Sequence, residues 1–159
     1  MKTLLAVLAF TGAITTTTAT ATAMEWKDIR VGPQVLLGTS GFEPGAFAEF
    51  TWDQFRLRPE VFIHDRNRPA AGVSALWQLP ITLLAGHTLH LGPRVAYHNG
   101  DDGDDPRGEI SAMAIYNLPI PPKPGDSRHN LELIAAAGVV DEDGAEAAFS
   151  AGAGYVFRF

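Results

Sequence analysis

From residue 28 onward, apolar and polar residues alternate in eight blocks. The clearest block is the last, 145–159, where Ala145, Ala147, Phe149, Ala151, Ala153, Tyr155, Phe157 and Phe159 take every second position. Between them stand Glu146, Ala148, Ser150, Gly152, Gly154, Val156 and Arg158. A period of two puts successive side chains on opposite faces of a β-strand, so this block predicts a strand with one oily face. The same alternation predicts strands over 28–38, 45–52, 55–64, 70–79, 88–98, 108–118 and 130–140. Most have the length of about 9–11 residues that a tilted strand needs to cross a bilayer.

Turn-forming residues separate the blocks. Glu43-Pro44-Gly45, Asn67-Arg68-Pro69, the run 99–103 and the run 141–144 are expected at one end. Asp53-Gln54, 80–87 and 119–129 are expected at the other, the last being a long, Pro-rich, stiff segment. Two short repeats support the count. Val31-Gly-Pro-Gln-Val35 returns as Leu91-Gly-Pro-Arg-Val95, and Trp77-Gln-Leu-Pro-Ile81 returns as Tyr116-Asn-Leu-Pro-Ile120. The expected fold is all-β: an eight-stranded antiparallel up-and-down transmembrane β-barrel. Trp26, Trp52, Trp77, Tyr116 and Phe157 all fall at one end of their strands, the end assigned to the periplasm. Amphipathic rings favour the headgroup level, so they read as an interfacial girdle.

The second face of these strands changes the picture. It carries Arg30, Glu49, Arg56, Arg58, Glu60, Arg94, Glu109, Glu132, Glu146 and Arg158, with Gln34, His64, Ser74, His90, His98, Ser111 and Asn117 among them. Inside an eight-stranded barrel there is room for side chains and little else. Arginines and glutamates reaching across would pair with one another, because an unpaired buried charge costs several kcal/mol. The expected lumen is therefore a structural network, with a narrow channel as the alternative. A lipocalin-like barrel has the opposite polarity, apolar inside and polar outside.

Composition narrows the setting. Lys2, the apolar run 4–10 and Ala21-Thr22-Ala23 read as a signal peptide over 1–23, leaving 24–159 as one barrel domain. With no cysteine, neither a lipid anchor nor a disulfide framework is expected. An acidic balance, 12 basic residues against 18 acidic, argues against nucleic acid as a partner.

The ending Gly154-Tyr-Val-Phe157-Arg-Phe159 resembles the C-terminal signal of bacterial outer-membrane β-barrels. The whole 24–159 segment resembles the small eight-stranded OmpX/OmpA-barrel type, and 89–108 is faintly similar to YfaZ-type proteins. The resemblance implies a location in the outer membrane after removal of the signal peptide. It implies lipid and lipopolysaccharide as surroundings, and barrel-assembly machinery reading Gly154, Phe157 and Phe159. A monomer is expected, and an OmpA-like peptidoglycan-binding domain is not.

Chemistry is sparse. A PagL-like deacylase needs a His-x-Ser pair on one strand, and His64, His90 and His98 have no serine two residues on. Ser127-Arg-His129 has the reverse order, and His98 near Asp101 lacks the serine of a PagP-like site. No catalytic residue, cofactor or metal site is expected. Asp101, Asp102, Asp104 and Asp105 are weak cation candidates, since clustered carboxylates suit hard cations. They lack the spacing of an EF-hand loop.

Overall fold

The structure is a computed structural model that describes residues 28–39, 41–64, 68–81, 84, 86–99, 107–120, 129–141 and 145–158. Segment 1–23, expected to be a signal peptide, Trp26, the loop aspartates 101–105, Glu142, Asp143, Ser127 with most of the Pro-rich segment, and Phe159 lie outside the described residues.

Eight strands form one closed antiparallel barrel: β1 (Asp28–Gly38), β2 (Gly41–Trp52), β3 (Phe55–His64), β4 (Arg68–Gln78), β5 (Thr88–His98), β6 (Arg107–Pro119), β7 (His129–Asp141) and β8 (Ala145–Arg158). Each strand pairs with its neighbours in sequence. β1 then pairs with β8, from Arg30 opposite Arg158 to Gly38 opposite Ser150, and this seals the sheet. Closure leaves no unpaired strand edge.

The strands follow the alternation of the sequence. In β8 the residues Phe149, Ala151, Ala153, Tyr155 and Phe157 face out, while Gly154 and Val156 are buried. The outer surface is apolar along the whole barrel, with Leu37, Val61, Ile110 and Phe149 each about 60 % exposed. Two close approaches depend on glycine. A Cβ at Gly92 would strike the Ala75 carbonyl, and one at Gly152 the Val35 carbonyl.

Turns differ at two places from the sequence expectation. Arg68 and Pro69, expected in a turn, already belong to β4, because its ladder with β3 runs on to His64 and Ile63. Glu43-Pro44-Gly45 is not a turn, because β2 begins at Gly41, which pairs directly with Gly38 and takes a φ of 105°. Gly41 supplies the left-handed backbone, so the tight reversal comes earlier and Pro44 lies opposite Val35 within the ladder. At the other end Asp53-Gln54 joins β2 to β3, with Trp52 opposite Phe55 and a φ of 50° at Asp53. Aromatic rings gather at that end: Trp52 lies 4.2 Å from Phe55, which lies 6.4 Å from Trp77. His129 meets Tyr155 through a 2.5 Å hydrogen bond and packs 5.3 Å from Phe157.

Candidate functional site

Most of the buried charged and polar side chains in the described residues face the lumen. β3 is the most densely charged, because its inward positions are Arg56, Arg58, Glu60, Phe62 and His64 in succession. Arg58 is fully buried and holds two carboxylates at once, donating to Glu49 on β2 at 2.7 Å and to Glu132 on β7 at 2.5 Å. Its second terminal nitrogen donates to Gln34 on β1 at 2.8 Å. Its guanidinium also lies 3.4 Å from the centre of the Phe47 ring, a cation–π contact in a dry setting. Arg56 adds longer bonds to Glu49, Asn117 and Glu132 at 3.3–3.5 Å.

A second ion-paired group lies toward the opposite end. Arg94 on β5 donates to Glu60 at 2.5 Å and to Glu109 at 2.6 Å. Ser111 donates to the same Glu109 oxygen at 2.8 Å, and His98 Nε2 lies 3.2 Å from the other oxygen. Gln34 joins the two groups: its oxygen accepts from Arg58 and its nitrogen donates to Glu60, both at 2.8 Å. A continuous hydrogen-bonded chain thus runs from Glu132 and Glu49 through Arg58, Gln34, Glu60, Arg94 and Glu109 to His98. Charge-assisted bonds of this kind are the strong ones, and they satisfy groups that burial would otherwise penalise.

Arg30 and Arg158 stand apart from that chain. Both pair with Asp28, at 2.7 and 2.8 Å, at the end where β1 begins and β8 finishes. Glu146 is not in the network. It has the inward parity of β8 but sits exposed at the rim, opposite Val140. Gly154 is buried beside Phe47 and Ile134, and Phe157 faces out.

Sequence reasoning missed two things here. One is the apolar share of the lumen: Leu36, Leu76, Met113, Ile115, Ile134 and Ala136 form a buried cluster among the inward positions. Alternation hides them wherever both faces are apolar. The other is Glu43, read from composition as a turn residue. It is buried, and its Oε1 lies 2.6 Å from His64 Nδ1, while the His64 and His98 rings lie 4.5 Å apart. His64 and His98 each end a strand running the same way, which was the available clue.

With this geometry in view, two solved structures are similar. A de novo designed transmembrane β-barrel aligns with a TM-score of 0.55 and 9 % identity, covering 85 % of this chain and 98 % of that one. Neisserial surface protein A aligns with a TM-score of 0.52 and 13 % identity, covering 83 % of this chain and 96 % of that one. The likeness is one of fold. No family model and no curated protein matches the sequence.

Proposed function

We propose that this chain is a non-enzymatic outer-membrane β-barrel protein whose lumen is filled by its own side chains, with a structural or surface-interaction role. The observation that carries this reading is the buried chain centred on Arg58 and Arg94, whose partners reach in from four other strands as well as from β3. An apolar outer wall supports the membrane setting, because a soluble barrel of this size would keep such a surface covered. Aromatic rings at one end suit the headgroup level. The signal-like segment 1–23 and the Gly154-x-x-Phe157-x-Phe159 ending support export and insertion by barrel-assembly machinery. Lipid and lipopolysaccharide are the surroundings, and the barrel acts as a monomer.

Planar-bilayer recording tests the filled lumen: the expected trace is silent, and steady unitary openings would replace the plug by a narrow channel. Membrane fractionation with heat-modifiable gel mobility tests the address. A soluble periplasmic protein would end the membrane reading. Unchanged lipid A masses on overexpression are expected of a barrel without catalysis.

A further inference from the structure

Glu43, His64 and His98 each direct one ligand atom toward the others at the end of the lumen opposite the Asp53-Gln54 turn, and these atoms all lie within 4.8 Å of one another. They come from three strands, β2, β3 and β5. Glu43 and His98 are each about 4 % exposed, while His64 is only part-buried and marks a way in. We propose that this trio is a binding site for a divalent transition-metal ion of the zinc class.

Three features support a metal over an ordinary ion-pair cluster. The donor set of two imidazoles and one carboxylate is a familiar one for Zn²⁺ that leaves one position open. His98 is held as metal-ligating histidines are held. One ring nitrogen, Nε2, faces the Glu109 carboxylate at 3.2 Å, and the other, Nδ1, is buried with no hydrogen-bond partner. A carboxylate on the far nitrogen fixes the tautomer and raises the basicity of the near one. Glu109 is itself fixed by Arg94 and Ser111, so the outer layer of the site is already built. The network that fills the barrel therefore also aims this imidazole.

Fit is the third feature. Ligand atoms around a tetrahedral ion at about 2.1 Å stand roughly 3.4 Å apart. The trio's ligand atoms lie within 4.8 Å of one another, and the contact between His64 Nδ1 and Glu43 Oε1, at 2.6 Å, is tighter than that spacing. Small side-chain rotations would even these out, the ion taking the place of any proton shared by that pair and releasing it to solvent. Arg68 and Arg107 stand opposite His64 and His98 in register, while Glu43 and Glu109 lie buried beside the two imidazoles.

The test uses untagged protein purified in detergent and stripped of metal. Calorimetric titration with Zn²⁺ is expected to show one saturable site per barrel, and Co²⁺ is expected to give absorption bands of a bound ion that Zn²⁺ abolishes. His98→Gln and His64→Gln should each weaken Zn²⁺ at least about tenfold, and Glu109→Gln, which leaves all three ligands in place, about tenfold or more. His129→Gln, at the opposite end, should change nothing. Heat-modifiable mobility confirms that each variant is folded, and the Co²⁺ spectrum of the unaltered protein stands without any variant. No stoichiometric uptake by the unaltered barrel would overturn the site. So would equal uptake by folded His64→Gln, or loss of uptake in His129→Gln instead.

Discussion

Two groups of inward side chains fill the same barrel by different means. Arg58, Glu49 and Glu132 fill it with long arms, each meeting a named partner from another strand. Leu36, Leu76, Met113, Ile115 and Ile134 fill it by contact, each touching whichever neighbour is near. The charged group is specific but unforgiving: removing one member leaves the others desolvated and short of partners. Loss of a member of the apolar group leaves only a void, whose cost follows its volume. The Arg58–Glu132 pair spans the interior from β3 to β7, and Arg94–Glu60 joins β5 to β3 past β4.

Arg58→Ala breaks the comparison hardest. It leaves Glu49 and Glu132 side by side with only the longer bonds from Arg56, and the expected loss is about 3–5 kcal/mol of stability, the range for breaking a buried pair. Denaturant unfolding of the barrel in lipid vesicles, followed by tryptophan fluorescence, measures it. Ile115→Ala should come next at roughly 2–4 kcal/mol, from the buried methyls and the cavity they leave. The sharper test replaces the whole charged group, Arg56 included, since its two carboxylate partners are the same Glu49 and Glu132. Arg56→Met and Arg58→Met with Glu49→Leu and Glu132→Leu should fall within about 1–2 kcal/mol of the unaltered protein, far less than Arg58→Ala alone. If this fourfold variant is as unstable as the single one, the charged group matters for more than its own pairing. The smallest effect belongs to Glu146→Ala, exposed at the rim, which should stay within about 0.5 kcal/mol.

The strands were legible in the sequence because both faces of a barrel wall differ in solvent, and a period of two records that difference residue by residue. Asp53-Gln54 was legible for a similar reason: a short polar pair interrupts two alternating runs. Glu43-Pro44-Gly45 misled because its composition suits a turn, while the position of the reversal was decided by Gly38 meeting Gly41. Parity assigns a face but not a depth. Glu146 and Glu132 share the inward parity of their strands, yet one lies at an open rim and the other is fully buried. Nor can parity name a partner across the lumen. That Arg58 meets Glu132, 74 residues away, follows from closure of the sheet and the tilt of its strands. The trio of Glu43, His64 and His98 was hidden for the same reason.

Gln34 has one more consequence. It is the neutral link between two ionised groups, accepting from Arg58 and donating to Glu60. A carboxyl can take a proton on one oxygen and release one from the other, so rows of acids can hand protons along. A primary amide cannot do this without passing through its high-energy imidic form. The hydrogen-bonded chain is therefore continuous in space but interrupted for proton conduction at residue 34, as it is at Arg58 and Arg94, whose guanidiniums keep their protons. The side chain that joins the two halves of the network is also one of its insulators.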